Sequence, residues 1–293
     1  MELVHPQLSA FLAVLEEGSF DAGAKRLAVT ASAISQRIKA LEDRLGQVLV
    51  VRASPCRPTP AGERLLRRVR PMQALEAEAL ADFMPAEQAR TVAIAVNTDS
   101  LEIWVLEALA QLHHEHGYLF DVRVDDQEYT LDLLRQGAVL GAITAKAKAL
   151  QGCNVRPLGT MRYRAIASPA LAAKHFAKGV HGDAFATAPM IVFDRKDDLQ
   201  TRFVRRYTRA RVAPPVHYLP SSTGFVEAAV LGLGWCLAAE PQIGPALAAK
   251  KLVLLDADTS LDVPLYWQYA AVQSTVIDNV GKALRAAAKR TLR

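Results

Sequence analysis

The chain has 293 residues, of which 51% are hydrophobic and 22% charged, so its composition excludes a disordered protein and predicts two or three compact domains. Lys and Arg outnumber Asp and Glu by 35 to 30. The resulting net charge of +5 favours a polyanionic partner without requiring one. The three cysteines are widely spaced, as in reducing compartments, and the sequence shows neither a signal peptide nor an apolar run of roughly 18 residues. We expect a soluble cytoplasmic protein with no membrane partner.

Residues 1–58 have the pattern of a helix-turn-helix followed by a small hairpin. Apolar residues recur at helical spacing from Leu8 to Leu15, Gly18 ends that helix, and Ser19 precedes the second. Thr30 is the predicted N-cap of a third helix. The run "VLVVRASPCRPT" then predicts a strand, a turn and a return strand, which form a wing beside the helices.

The third predicted helix, residues 30–45, has one apolar side and one side of small and polar groups. Ile34, Ile38, Leu41 and Leu45 are spaced to face a core. Glutamine can pair with adenine in the major groove, while hydroxyl and basic side chains reach base edges or phosphates. An ordinary solvated helix is the alternative, but the preceding helix, the wing and eleven basic against seven acidic residues within positions 1–70 favour DNA. The predicted DNA-contacting residues are Ser32, Ser35, Gln36, Arg37, Lys39, Arg52 and Arg57.

A long helix is predicted to follow the wing. Thr59 and Pro60 provide a hydroxyl cap and a proline at the first helical position, and an apolar stripe runs from Leu65 to about Phe83. A second copy of the chain is the simplest cover for that stripe. Pro71 lies within the helix and predicts a kink.

From Thr91 onward, strand and helix patterns alternate. Nine strand candidates begin near residues 91, 120, 140, 163, 190, 216, 234, 251 and 265. Repeated strand-helix units predict a parallel sheet covered by helices on both faces. About 200 residues are enough for two lobes with a cleft between them.

Polar residues follow several of these strands, at the position where open α/β sheets bind ligands. They are Asn97, Thr98, Asp99 and Ser100 after the first strand, Asp126, Thr144 and Asp194 after later ones, and Ser222 at a helix start. Plain N-capping by Asp99 or Ser100 is the alternative for the first group. A helix start that attracts anions, together with several carboxylates, suits a zwitterion that carries extra positive charge.

The sequence predicts neither a metal, a cofactor nor an enzymatic reaction. The run "HHEH" at residues 113–116 falls at a helix end, where imidazoles favour the negative end of the dipole. Cys153 and Cys236 lack the pattern of an activated nucleophile, and no paired acid, base and nucleophile stands out. Trp267 is a predicted core residue.

Several motifs resemble those of a known family. "SAISQRIKALE" and "PTPAGERLL" closely resemble the N-terminal domain of LysR-type bacterial transcriptional regulators, and "VNTDSLEIW", "VFDRKDDLQ" and "LYWQYA" resemble its LysG/ArgP branch. The resemblance implies an α+β and α/β architecture: a winged helix-turn-helix (1–58), a linker helix and hinge (59–90) and a two-lobed effector domain (91–293), similar to periplasmic binding proteins. Lobe one would comprise 91–162 and 266–293, and lobe two 163–265.

The same resemblance implies a homodimer or a dimer of dimers that binds double-stranded promoter DNA. It also implies a small-molecule effector, lysine or arginine, and control of a transport or export gene. Two rivals remain: an architectural DNA-binding protein without an effector, and a two-lobed solute-binding protein or enzyme. The missing export signal argues against a solute receptor.

Overall fold

The computed structural model describes residues 5–80, 91–124 and 130–293. The N-terminal domain begins with three helices. They are α1 (Pro6–Glu17), α2 (Phe20–Arg26) and α3 (Ala31–Leu45). Gly18 ends α1 in the left-handed conformation, with a φ of 73°. Ser19 and Thr30 cap α2 and α3 by accepting the backbone N–H groups of Ala22 and Ala33. The predicted helix boundaries in this region are therefore confirmed.

One side of α3 packs into the core of the N-terminal domain. Ile34, Ile38 and Leu41 are buried there with Phe11 of α1, as predicted. The prediction for Leu45 was wrong, because this side chain is 46% exposed. Leu45 is the last residue of α3, immediately before the left-handed turn that leads the chain away towards the wing.

The wing is a short antiparallel hairpin of β1 (Val50–Val51) and β2 (Arg57–Pro58). The carboxylate of Glu42 accepts the backbone N–H groups of Leu49, at 2.7 Å, and Val50, at 3.3 Å, so α3 holds the hairpin beside it. Thr59 caps the next helix by accepting the N–H of Gly62 at 3.1 Å.

That next helix is α4 (Pro60–Leu80). Its Leu66 and Val69 belong to the N-terminal core, whereas Met72 and Leu75 are 47% and 37% exposed. The helix continues through buried Pro71, and the kink at that residue stays a prediction. The predicted helix end near Phe83 lies outside the described residues.

A seven-stranded mixed sheet organises the rest of the chain. Its strands are β3 (Thr91–Val96), β4 (Leu119–Val124), β5 (Gly141–Thr144), β6 (Cys153–Ala167), β9 (Cys236–Ala239), β10 (Val253–Leu254) and β11 (Leu261–Ala270). They are arranged in the order β10-β6-β11-β5-β3-β4, and β9 also pairs with β6. β3 is parallel to β4 and β5, but β11 is antiparallel to β5 and β6, so within this sheet the expectation of parallel pairing holds only for β3, β4 and β5. A separate two-stranded sheet of β7 (Met190–Val192) and β8 (Val216–Tyr218) pairs in parallel and so also meets that expectation.

Two long strands, β6 and β11, connect two lobes. They pair from Leu261 opposite Tyr163 to Ala270 opposite Cys153, and the predicted crossing points, 162/163 and 265/266, fall inside them. Lobe I carries α5 (Thr98–Ser100), a π-helical turn (Leu101–Val105), α6 (Leu106–His116), α7 (Thr130–Arg135) and α13 (Thr275–Thr291). Lobe II carries α8 (Pro169–His175), α9 (Gly182–Thr187), α10 (Leu199–Val204), α11 (Ser222–Val230) and α12 (Glu240–Ala248), together with β7 to β10.

Sequence patterns missed α8, α9, α12 and the first half of β6, since these segments are short or lack a clear alternation of apolar and polar residues. Trp267 is a core residue, as predicted, and is 2% exposed. Among the described helices, none is long and apolar enough to span a bilayer.

Candidate functional site

The outward face of α3 is a surface of small and polar side chains. Ser32, Gln36 and Lys39 are exposed, and Ser35 and Arg37 are half-buried beside them. The opposite side of the same helix is buried, so this face has a fixed orientation. Its small and polar side chains would allow the helix to enter a DNA major groove.

The wing places two further cations near that helix. The guanidinium of Arg52 stacks 4.5 Å from the ring centroid of Phe20, a contact that orients the side chain while leaving the residue exposed. Arg57 is exposed in β2. Arg26 of α2, by contrast, is paired with Glu16 and Glu17 on α1.

A cavity of about 410 Å³ lies between the two lobes, a volume suited to a small molecule. Lobe I contributes the residues that follow β3, and lobe II contributes the starts of α10 and α11. The polar lining residues are Asn97, Thr98, Asp99, Tyr163, Lys196, Asp197, Asp198, Arg202, Ser222 and Gln242. Three carboxylates, those of Asp99, Asp197 and Asp198, and two cations, Lys196 and Arg202, therefore line this space, and Arg202 lies 3.9 Å from the carboxylate of Asp198.

Asp99 is the polar centre of the cavity. One of its carboxylate oxygens accepts the hydroxyl of Tyr163 from β6, and the other accepts the hydroxyl of Ser222 from α11. Nearby, the Glu102 carboxylate of lobe I accepts the backbone N–H of Thr223 in lobe II at 2.9 Å. These bonds join the two lobes at the cavity.

Asp197 is held inside lobe II by the backbone. Its carboxylate accepts the N–H groups of Phe193 and Leu199, each at 3.0 Å. Burial raises the pKa of Asp197, and the negative charge of Asp99 adds to this, while the backbone hydrogen bonds act in the opposite direction. A cation entering the cavity would favour the ionised form of Asp197.

Among the described residues, the cavity lining also includes a buried hydrogen-bond acceptor that has no donor. Asn97 is 3% exposed, lines the cavity, and its side-chain oxygen has no hydrogen-bond partner among the described residues. Buried amide oxygens are usually satisfied, so a ligand with an N–H group would complete this site.

Two family matches cover nearly the whole chain. Residues 5–63 match the bacterial regulatory helix-turn-helix proteins of the lysR family, and residues 85–289 match the LysR substrate binding domain. The chain belongs to the LysR family. This LysR-family protein therefore combines a DNA-binding helix-turn-helix with a ligand-binding domain, as its motifs indicated.

Close relatives are transcriptional regulators. The chain is 44% identical to HTH-type transcriptional regulator LysG of Mycobacterium tuberculosis over 98% of its own length and 94% of the relative. It is 38% identical to the lysine export transcriptional regulatory protein LysG of Corynebacterium glutamicum, covering 98% of each chain.

Two solved structures share its full-length architecture. The crystal structure of ArgP from Mycobacterium tuberculosis matches with a TM-score of 0.90 and 43% identity, over 100% of this chain and 99% of that one. Full-length LysG from Corynebacterium glutamicum with bound effector Arg matches with a TM-score of 0.82 and 38% identity, over 98% of both chains.

Of the residues proposed from the LysR-family sequence for effector binding, the structure brings four to the cavity: Asn97, Thr98, Asp99 and Ser222. Ser100 and Thr144 are fully buried outside its lining, and the Thr144 hydroxyl accepts the backbone N–H of Lys146. Asp126 lies outside the described residues.

Asp194 is turned away from the cavity in this LysR-family fold. Its carboxylate accepts the backbone N–H groups of Lys196, at 2.7 Å, and Asp197, at 3.0 Å, and so stabilises its own turn. Asp197 and Asp198 occupy the lining instead. The sequence signal for them was an acidic pair directly before a helix, whereas Tyr163, in the middle of a strand, gave none.

Proposed function

We propose that this LysR-family protein is a transcriptional regulator that binds promoter DNA and responds to a basic amino acid, arginine or lysine. The observation that carries the proposal is the acidic inter-lobe cavity in a chain whose relative binds Arg as its effector. The lysine-export relative supports a transport or export gene as its target.

The chemistry of the cavity suits such an effector. The amino acid's carboxylate would lie near Thr98, at the positive end of the helix that begins there, with Arg202 and Lys196 also in the lining. Its two cationic groups would meet Asp99 and the pair Asp197 and Asp198. Asn97 would accept a further N–H group of the ligand.

The N-terminal domain would read double-stranded DNA through α3. Gln36 and Ser32, in the first turns of the helix, would contact base edges, with Ser35, Arg37 and Lys39 close by. Arg52 and Arg57 on the wing would contact phosphates and add affinity that is independent of sequence. The protein would act in the cytoplasm, where bacterial promoters are.

The chain would assemble as a homodimer or a dimer of dimers. Exposed Met72 and Leu75 on α4 support a contact between two copies of this helix. We propose the corresponding division of the chain into a DNA-binding domain (1–58), a linker (59–90) and an effector domain of lobes 91–162 with 266–293 and 163–265.

Two measurements test this function. Calorimetric titration with arginine and lysine should give saturable heats, and a gel shift on the DNA flanking the gene should change when the amino acid is added. Arginine should be recovered unchanged after incubation, as for an effector and not a substrate. Sequence-selective DNA binding with no heat and no thermal shift would favour an architectural protein instead.

A further inference from the structure

We propose that the contact between α4 and the turn after α7 is a joint that positions the DNA-binding domain on lobe I, and that Gly137 is the residue on which this joint depends. The contact itself is a property of the fold; its role in signalling rests on the proposed function.

Gly137 allows two backbones to meet. It ends α7 in the left-handed conformation, with a φ of 68°, and its N–H donates to Leu134 O at 3.0 Å. A Cβ atom at this position would lie 2.8 Å from the backbone nitrogen of Arg67 and from the carbonyl carbon of Leu66. No side chain fits between the turn and α4, so α4 rests directly on lobe I.

Arg70, one turn further along α4, links the same elements. Its guanidinium pairs with Glu16 of α1 at 3.2 Å and donates to the carbonyl oxygen of Ala138 at 3.4 Å. The Arg70 side chain is only 14% exposed. Arg70 of the linker helix α4 is therefore a largely buried cation that contacts both α1 and lobe I.

The joint connects the DNA-binding domain to lobe I. Leu66 and Val69 of α4 belong to the core of the DNA-binding domain, so this part of α4 moves with that domain. On the other side, the turn leads into β5 (Gly141–Thr144), and the next residue, Ala145, lines the effector cavity. A change in the cavity can thus reach α4 through one short strand.

A matched pair of glycine variants tests the joint. Gly117→Ala places a Cβ at nearly the same positive φ, 67°, at the end of α6 in the same lobe, but with no atom within 4 Å. Both variants therefore carry the same local strain, and only Gly137→Ala pushes α4 away. Hydrogen exchange of α4 residues 64–72, measured by mass spectrometry on the full-length protein, should accelerate about tenfold or more in Gly137→Ala and stay within about twofold of wild type in Gly117→Ala.

A second pair of variants tests whether misfolding of the turn, and not loss of the contact with α4, causes the faster exchange. Arg70→Gln keeps the turn intact and should also accelerate exchange in α4, whereas Arg68→Gln, at an exposed position of the same helix, should not. Equal exchange rates in Gly137→Ala and Gly117→Ala, or in Arg70→Gln and Arg68→Gln, would contradict the proposal that this contact is a joint.

Measuring arginine binding distinguishes a failure of this inference from a failure of the proposed function. Gly137→Ala should bind arginine within about threefold of wild type, yet show a smaller effect of arginine on DNA affinity. An unchanged effect of arginine on DNA affinity in Gly137→Ala would refute the signalling role. If wild type binds no arginine, the proposed effector fails, while the exchange measurements still decide whether the joint exists.

Discussion

Replacing Asp99 with Asn should weaken binding of arginine more than any other single change of charge in the cavity. Asp99 is central, because its carboxylate, in lobe I, accepts the hydroxyls of both Tyr163 and Ser222 of lobe II. Asparagine keeps the size of the side chain and one acceptor oxygen but removes the negative charge. The substitution therefore removes the charge together with one of the two acceptors for the hydroxyls of Tyr163 and Ser222.

The expected loss follows from the geometry. A hydrogen bond to a charged group contributes about 1.5–3 kcal/mol, and two unit charges 4 Å apart attract by about 4 kcal/mol at an effective dielectric constant of 20. Part of this is offset, since the ligand competes with two hydroxyls that already satisfy Asp99. We expect a loss of about 2–3 kcal/mol, which is roughly 30- to 150-fold in the dissociation constant.

Calorimetry on wild type, Asp99→Asn and Asp194→Asn measures this loss. Asp194 carries the same charge nearby, but it is bonded to its own turn outside the cavity lining, so its variant should bind arginine within about threefold of wild type. Citrulline, which has an uncharged ureido group in place of the guanidinium but keeps the α-ammonium, shows which cationic group of arginine Asp99 contacts. A loss for arginine alone assigns the guanidinium, and an equal loss for both assigns the α-ammonium. Wild-type affinity in Asp99→Asn would refute the reasoning.

Three further predictions concern base reading, packing and pH. Gln36→Ala should lose about 1–3 kcal/mol of discrimination at one base pair in a competition gel shift, whereas Arg52→Ala should weaken binding to specific and random DNA alike. Gly141→Ala should lower the free energy of unfolding in urea by about 3 kcal/mol, because the new Cβ would lie 2.1 Å from the Trp267 ring; wild-type stability would contradict this packing. Burial raises the pKa of Asp197 in the folded state. The proton on Asp197 therefore stabilises the fold fully below the unfolded pKa of about 4, and this stabilisation is lost as the pH rises through the higher folded pKa. Asp197→Asn should flatten that part of the pH profile of stability, and an unchanged profile would exclude this residue as its source.

Local patterns were sufficient to predict the DNA-binding domain. The caps at Ser19 and Thr30, and the spacing of Ile34 and Ile38, act over one or two helical turns, so a reading of neighbouring residues finds them. The error at Leu45 arose because helical spacing shows which side of a helix is apolar but not how far along the helix the core extends.

Strand direction and the composition of the cavity were decided by tertiary structure. Between β5 and β11 the chain forms β6 and the whole of lobe II. The sequences of β5 and β11 do not by themselves indicate that the two strands will pair antiparallel. Asp194 and Asp197 occur in the same loop, yet the turn that Asp194 stabilises points Asp197 inward.

By itself, the sequence determined the elements whose stabilising contacts lie within a few residues: the winged helix-turn-helix, the start of α4 and the polar run after β3. Only the folded chain brings Tyr163 and Ser222, 64 and 123 residues away along the sequence, onto the single carboxylate of Asp99. The physical reason is that hydrogen bonding between distant residues depends on how the lobes close, and that closure is set by burial of the shared core.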